Sequence, residues 1–363
     1  MAEPRVTLKV GGREYGGWKT ARVTRGIEAL SGAFDLTVSE RWADQDQAWP
    51  INEGDLCTVA IDGEPLVTGF IDDRSPEFSE TSHSITVGGR DITGDAVDSS
   101  AVLDRWGFKN VSVPEIVRKL FEPHGVKVSL QPGLVLPPST VPKKFSIDPG
   151  DTVAAAVENA CRPAGVLAVS DGLGGVMLTR AGNARCSTAL VEGVNMKAGS
   201  AKFSLAGRFR KYLVLGQHKG NADFNGAASA AVKGSAEDLG VPRASRVLVI
   251  RPEGNVTPAI ARDRAEWEAT TRAARGTTAT ITVAGWTQNN GKIWPVNALV
   301  PVSSPTLNLK GEMLIVQATY VLDLNGGTTT QLELKRRDAY RPNPTIAKGS
   351  GGNNYWPEIV KGV

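Results

Sequence analysis

Three neighbouring aspartates, Asp91, Asp95 and Asp98, are the residues here whose type and spacing best suit chemistry. Carboxylates this close together could act as general acid and base, or bind a cation. They also lie where a strand passes into a turn or a helix start, and Asp side chains commonly accept backbone N–H bonds there. No cluster of histidine or glutamate lies nearby to complete a proton relay. We therefore interpret the three as structural caps and expect no catalytic residues.

Cysteine and histidine are few and dispersed, which argues against a metal centre. Their positions are Cys57, Cys161, Cys186, His83, His124 and His218. An odd number of cysteines without a Cys-x-x-Cys spacing predicts neither a zinc site nor a disulfide framework. Isolated histidines do not supply a multi-histidine centre. We expect buried apolar thiols, no metal and no cofactor, with His124 interacting with a helix dipole.

Two glycine-rich stretches, GLGG at 172–175 and GQHKG from Gly216, could be taken for phosphate-binding loops. Walker and dinucleotide loops need a fixed spacing and a following helix, and neither stretch has both. We interpret them as hairpin turns.

Length and charge bound the class of protein. A chain of 363 residues is too long for one compact core, so two to four packed units are expected. A net charge of +3 gives no broad field, so stable nucleic-acid or membrane binding is not expected. Neither a signal peptide nor an apolar run long enough to cross a bilayer is present, which predicts a cytosol-like space.

The pattern of elements predicts a mainly β protein with α+β insertions. Short runs that alternate apolar and polar residues, such as AFDLTVS and HSITVGG, are typical of strands with one buried face. Helices are predicted after Ser112, after Asp151 and after Thr257, from cap residues, proline near the first turn and a final glycine. The predicted units are a first β domain over 1–98, which could be a barrel or a sandwich, an α+β domain 99–190, a second β domain 191–215 plus 277–340, an inserted segment 216–276 with a helix over 258–275, and a tail 341–363.

A divergent duplication is visible in the two β regions. Both contain Trp-Pro-aliphatic-Asn, beginning at Trp49 and at Trp294, and both close on an Arg-Asp pair, at Arg90 and at Arg337. Chance alignment of two β meanders remains the alternative, because all such segments share the same alternation. Trp18 and Trp286 are expected in the core. Trp49, Trp294, Arg90 and Arg337 are candidates for a subunit interface.

Two further segments could contact partners. Between Lys197 and Lys219 the sequence holds six basic residues and no acid, which favours a solvated strand face over a nucleic-acid or partner contact. The tail joins a Gly/Ser/Asn linker to Tyr355 and Trp356, which would suit a tethered docking peptide. A disordered terminus is the equal alternative.

Several segments in order resemble the baseplate hub protein of Mu-like contractile phages. They include YGGWKTARVTRGIEALSGAFDLTVSERW, GEPLVTGFIDD, HSITVGGRDITGDAVDSSAV, FSIDPGDTVAAAVENACRPAGVLAVSDGLGGVMLTRAG and RAEWEATTRAARGTTATITVAGWTQNNGKIWPVNALVPV. The resemblance covers nearly the whole chain and departs from the family at FRKYLVLGQHKG. It implies a homotrimeric torus in which two β-barrel domains per chain make a pseudo-sixfold ring.

The resemblance also implies partners and a place. The hub would sit in the tail baseplate of the virion, between the tail tube or a tube-adaptor protein and the central spike, next to baseplate wedge proteins. It would leave a channel for the genome and would not be an enzyme. Two other functions remain open: a tail-associated cell-wall-degrading enzyme, which would need paired carboxylates in a cleft, and a DNA-binding protein that uses the basic run.

Overall fold

The computed structural model describes residues 5–39, 51–80, 83–104, 106–182, 184–216, 232–252, 256–324 and 326–344. Strands dominate these residues, as the sequence predicted, and helices are confined to smaller units. No helix in the described ranges is both long and apolar enough to cross a membrane.

The first β module begins near the N-terminus and alternates buried and exposed residues along its strands, because one sheet face covers the core. Its strands are β1 Val6–Val10, β2 Arg13–Tyr15, β3 Thr20–Gly26, β4 Ala33–Ser39, β5 Leu56–Ile61, β6 Glu64–Phe78 and β7 His83–Asp91.

An α+β unit follows, in which helices pack beside a three-stranded sheet of order β11-β12-β9. Its elements are α1 Gly94–Asp98, β8 Gly107–Phe108, α2 Val113–Phe121, β9 Lys127–Leu130, β10 Phe145–Ser146, α3 Val153–Ala164, β11 Leu167–Ser170 and β12 Gly175–Thr179. Helix α2 follows Ser112 as predicted, but the Ser112 side chain makes no cap hydrogen bond. Helix α3 does have a side-chain cap, because the Thr152 hydroxyl accepts a hydrogen bond from the backbone N–H of Ala155.

The second β module is interrupted by an inserted unit. The module begins with β13 Ala184–Arg185, β14 Leu190–Val191 and β15 Met196–Phe203. The inserted unit contains β16 Lys211–Gly216, β17 Val232–Glu237, β18 Val247–Ile250 and α4 Pro258–Arg275. The module resumes with β19 Thr277–Ala284, β20 Ala298–Ser304, β21 Leu309–Asp323 and β22 Gly327–Lys335. Because β16 pairs with β17 and β18, the insertion starts before residue 216, its expected limit.

The two β modules have the same strand order. The sheet runs β3-β4-β7-β6-β5 in the first module and β15-β19-β22-β21-β20 in the second. All of these neighbours are antiparallel, and each module pairs a 15-residue strand, β6 or β21, with a nine-residue strand, β7 or β22. Five strands in one shared order indicate a duplicated module.

Backbone details repeat as well. Strand β6 shifts register against β7 after Ile71, and β21 shifts against β22 after Ile315. The N–H of Gly54 donates to the Ile71 carbonyl at 2.8 Å, and the N–H of Asn297 donates to the Ile315 carbonyl at 2.9 Å. Both donors have a positive φ, 86° and 60°. Asn297 therefore corresponds to Gly54 and not to Asn52, so the sequence match is offset by two residues.

The modules are joined edge to edge within the chain. The second half of β21, Gln317–Leu322, pairs antiparallel with β3, and this places both modules in one 14-stranded sheet. In the described residues this sheet has free ends and closes into no barrel, so the prediction of two separate barrels is corrected. One hydrophobic core serves both modules, and it contains Val23 and Leu36 beside Ile281 and Leu332.

Candidate assembly interface

Strand β15 forms one end of the large sheet. Among the described residues it pairs with β19 alone, and six of its eight residues are exposed. The exposed residues include Lys202 and Phe203, and Phe203 is 53% exposed. A strand edge with unpaired N–H and C=O groups is a template for pairing with another chain.

The second half of β6, Asp72–Phe78, is another uncovered edge. It extends beyond β5, so in the described part of the chain it pairs with β7 on one side only. Six of its seven residues are exposed, and Phe78 is 84% exposed. The corresponding half of β21 is covered by β3. The repeat therefore leaves one module edge covered and its counterpart free.

Arg90 and its acidic neighbours stand at the base of this free edge. Its guanidinium contacts Asp72 at 2.8 Å and Asp98 at 2.7 Å. Hydrogen bonds to these two carboxylates raise the pKa of Arg90, and the bond from Arg90 lowers the pKa of Asp98. The pair network ties β6 and β7 to helix α1, which orients the start of the α+β unit.

Asp91 is buried for a structural reason. Its carboxylate accepts backbone N–H bonds from Gly32 at 2.8 Å and from Thr68 at 3.1 Å. Burial raises its pKa, which bonds from Ser170 and these amides partly offset. Asp91, the last residue of β7, therefore joins the start of β4, the interior of β6 and the hairpin that holds Ser170, which is a structural role as predicted, although it acts from within a strand.

The GLGG segment is the turn by which the α+β unit docks on the first module. It joins β11 to β12, so it is a hairpin turn as predicted. Thr68 donates its hydroxyl to the Gly172 carbonyl at 3.0 Å, and Arg25 donates to the Ser170 carbonyl at 3.1 Å. A side chain at Gly172 would meet the Leu66 carbonyl oxygen at 2.5 Å. Only glycine fits this contact.

Three family models match the chain. They are "Mu phage baseplate assembly protein GpP-like, N-terminal" at residues 5–91, "Baseplate hub protein gp44-like, second domain" at 93–180, and "Mu phage baseplate assembly protein GpP, fourth domain" at 257–343. The chain is also 31% identical to baseplate hub protein gp44 of Escherichia phage Mu, over 92% of this chain and 88% of that protein. The chain belongs to the Mu-type baseplate hub family.

Solved structures agree with this Mu-type hub assignment. The 43 kDa tail protein of prophage MuSo2 from Shewanella oneidensis has a TM-score of 0.79 at 32% identity, over 93% of this chain and 99% of that one. A tail protein from Neisseria meningitidis shares the fold, with a TM-score of 0.76 at 22% identity, over 94% and 99%. The baseplate-hub role predicted from the sequence is confirmed, and it implies a place in the virion tail baseplate.

Three of the predicted interface residues of this Mu-type hub chain, Arg90, Trp294 and Arg337, lie in the described ranges. Trp294 is 2% exposed within the shared core, which corrects its assignment to a surface, while Trp18 and Trp286 are buried as expected. Three other candidates, Trp49, Tyr355 and Trp356, lie outside the described residues.

The two Arg-Asp pairs are not equivalent positions. Phe70 and Leu314 correspond, because each comes just before the isoleucine at which its strand shifts register. Arg90 faces Phe70 and Lys335 faces Leu314, so Arg90 corresponds to Lys335. Arg337 lies beyond β22, where it donates to the Ala181 carbonyl and lines an open cavity of about 330 Å³. The first pair ends β7, whereas the second lies just beyond β22.

Two residues of the basic run, Arg208 and Arg210, form local ion pairs. Arg208 makes two 2.8 Å hydrogen bonds to Asp238, and Arg210 contacts Glu237 at 3.3 Å. Lys197 and Lys202 are exposed on β15. The run therefore spans β15 and β16. Lys197 and Lys202 lie on the sheet edge, whereas the exposed Lys211 lies on β16, the central strand of the inserted unit's sheet.

The cysteines give no sign of a reactive or metal-binding site in the described ranges. Cys57 and Cys161 are buried and Cys186 is half-buried. Burial raises the pKa of Cys57 and of Cys161 to about 12 and that of Cys186 to about 11. No group of three or more His, Cys, Asp or Glu in these ranges is placed to hold a metal ion.

Sequence reasoning missed the two free edges. Phe78 and Phe203 end their strands as exposed aromatic residues, and neither lies in a recognisable motif. The only sequence signal was the duplication itself. When the two modules are aligned by strand order, β6 corresponds to β21 and β15 corresponds to β3. Strands β21 and β3 pair with each other, whereas β6 and β15 have no such partner in the described residues.

Proposed function

We propose that this chain is a structural hub subunit that forms a homotrimeric ring with pseudo-sixfold symmetry. The ring joins the tail tube, or a tube-adaptor protein, to the central spike and leaves an axial channel for the genome. The observation that carries the proposal is the duplicated module, whose two copies share a strand order and lie side by side in one sheet.

The duplication has a direct physical use. Three chains with two similar modules each present six similar units around one axis, while the chain itself repeats three times. Such a ring can seat a sixfold partner on one face and a threefold partner on the other. An adaptor between symmetries needs no catalytic group, so we propose that the chain is not an enzyme and needs no cofactor.

The remaining contacts follow from that position. Baseplate wedge proteins would contact the outer α+β and inserted units, and neither nucleic acid nor membrane would be bound stably. The unit limits proposed here are 1–98 for the first module and 341–363 for the tail. The α+β unit, expected over 99–190, ends before β13 because β13 and β14 pair with β20, and the insertion is extended to include β16 because of its strand pairing.

Native mass spectrometry of the purified full-length chain tests the ring. Three copies of the 38.4 kDa chain are expected, about 115 kDa, and negative-stain images should show a hollow ring. A chain that stays monomeric at high concentration would contradict the proposal.

A tail-assembly assay tests the hub role. A prophage with this coding sequence deleted should make no contractile tails, and the full-length chain supplied in trans should restore them. A variant truncated from Gly349 tests whether the tail is an anchor, because normal assembly without it would refute that role. Clearing of a cell-wall zymogram by the purified chain would favour the enzymatic alternative instead.

A further inference from the structure

We propose that the ring closes by main-chain pairing between β15 of one copy and Asp73–Phe78, within the second half of β6, of the next. This inference rests on the ring of the proposed function and specifies its contact. Both edges are uncovered in the described residues, and the two edges of one chain do not pair with each other. Each edge is therefore free to pair with the complementary edge of a neighbouring copy.

The junction inside the chain provides the template. There β21 pairs with β3 so that Thr319 faces Thr24 and Tyr320 faces Val23. The hydroxyls of Thr24 and Thr319 lie 3.2 Å apart, which shows how closely facing side chains approach. By the duplication, β6 takes the place of β21 and β15 takes the place of β3.

The strand registers convert this template into residue pairs. Residues Asp73 and Gln317 both follow the register shift, and they face Gly88 of β7 and Glu333 of β22. On the other strand, Thr24 and Lys202 correspond, through their partners Ala33 and Thr278 and the pairing of these with β7 and β22. The facing pairs across the new junction are Arg74 with Phe203, Ser75 with Lys202, Pro76 with Ala201, Glu77 with Ser200 and Phe78 with Gly199.

The core-side face of this junction covers exposed aromatic surface. Phe78 would lie over Gly199, which has no room for a side chain because a Cβ there would meet Ile281 and Leu307 at 2.9 Å. Phe203 would lie beside Arg74, an arrangement that favours a cation–π contact. Pairing therefore removes from water the two aromatic rings that are most exposed on these edges.

The opposite face is complementary in charge. Lys202 would face Ser75, and its diagonal neighbours across the strands would be Asp73 and Glu77. All four residues are exposed in the single chain. The template pairing sets this register, and in it one cation lies between two carboxylates.

Proline at position 76 is compatible with the pairing and limits alternatives. The N–H of Ile27 donates to the Val316 carbonyl, so this carbonyl points toward β3. Backbone groups of every second residue point to the same side of a strand, so the N–H and C=O of Tyr320 also point toward β3. Pro76 corresponds to Tyr320, and its carbonyl can accept a bond from the N–H of Ala201 but gives none in return. An edge proline discourages addition of unrelated strands.

Cysteine cross-linking of the full-length chain tests the register. The double variants Ser75→Cys/Lys202→Cys and Glu77→Cys/Ser200→Cys should each give disulfide-linked dimers and trimers on a non-reducing gel after mild oxidation. The matched control, Ser75→Cys/Ser200→Cys, carries a cysteine from each pair but places them diagonally, too far apart for a disulfide. It should remain uncross-linked.

Native mass keeps the outcomes distinct. Trimers in which neither double variant cross-links, or in which the control cross-links instead, would overturn this strand pairing and leave the ring intact. A wild-type chain that forms no trimer would overturn both proposals.

Charge reversal gives an independent test. Lys202→Glu should weaken trimer formation about tenfold at low salt, because it places three carboxylates together. Adding Asp73→Lys and Glu77→Lys to that variant should restore the trimer. Equal weakening by Lys202→Glu and by the triple variant would show that the three charges do not meet.

Discussion

Buried and paired charges in this molecule stabilise backbone positions. Asp91 accepts two amide bonds where strands β6 and β7 meet the loop before β4, and Arg90 beside it binds two carboxylates. Buried polar groups need such partners, since an unpaired one would be unfavourable. The aspartate cluster that could have suggested catalysis therefore fastens a junction between units.

The ion pair of Arg208 with Asp238 should contribute measurably to stability. Asp238→Ala leaves Arg208 without its bidentate partner in a largely buried place, so we expect the free energy of unfolding to fall by about 2–4 kcal/mol. Hydrogen bonding from Arg208 lowers the pKa of Asp238. The contribution is thus present above the unfolded-state pKa near ~3.9 and is lost as the pH falls through the folded pKa.

Denaturant unfolding of both proteins at neutral pH and in acid measures this difference. The neighbouring exposed pair supplies the control, because Glu237→Ala removes a half-exposed partner of Arg210 and should change stability by less than about 1 kcal/mol. Equal losses in the two variants, or a loss for Asp238→Ala that persists in strong acid, would contradict this account.

The three cysteines should be unreactive in the folded chain. Their raised pKa values leave almost no thiolate at pH 8, and Cys57 and Cys161 are also shielded by burial. Labelling with a maleimide, followed by intact-mass measurement, should show little modification before unfolding and three labels after it. Rapid labelling of Cys57 or Cys161 in native protein would mean that the core opens readily.

At the scale of elements, the docking turn depends on a glycine. Gly172→Ala should destabilise the contact between the α+β unit and the first module, because the new Cβ meets the Leu66 carbonyl oxygen and φ is +78°. Gly133→Ala is the matched control, since its φ is +79° but nothing lies within 4 Å. The control should lose about 1–2 kcal/mol from backbone strain alone, and Gly172→Ala should lose more.

Thermal unfolding compares the two glycine variants, and limited proteolysis locates the effect. Cleavage in Gly172→Ala is expected between the first module and the α+β unit. Identical stability of the two variants would show that the contact of Gly172 with the first module does not contribute to stability.

Local sequence signals, such as helix caps and strand alternation, identified most elements. They failed where a strand is built from residues that are uncommon in strands. Helix α4 begins after Thr257 and ends at Gly276 as predicted, because cap and proline act within one turn. The sequence of strand β17, VKGSAE, is more typical of a loop, because it lacks β-branched residues beyond its first position. It is a strand because Gly234 lets α4 pack closely, with a Cβ there only 2.3 Å from Ala261.

For the whole molecule, the shared core implies that the β modules unfold together. Leu332→Ala creates a cavity in the second module and should lower the free energy of unfolding by about 3 kcal/mol. Because that core also holds Leu36, amide exchange should accelerate in β4 of the first module as well as in β22.

Hydrogen exchange read by mass spectrometry distinguishes shared from separate unfolding. Val249→Ala, a change at a half-exposed residue of the inserted unit, should leave exchange in both modules unaltered. Acceleration confined to β22 in Leu332→Ala would show two independent cores.

The sequence by itself determined the strands, the capped helices, the tight turns and the family, because each is written in residues that are close along the chain. Only the tertiary structure decided which edges meet. The pairing of β3 with β21 brings together residues such as Thr24 and Thr319, 295 positions apart. The alternation of apolar and polar residues is the same in every strand, so it does not specify which distant strand is the partner. The buried place of Trp294 and the free edges of β6 and β15 follow from that pairing, which satisfies backbone groups that local sequence leaves open.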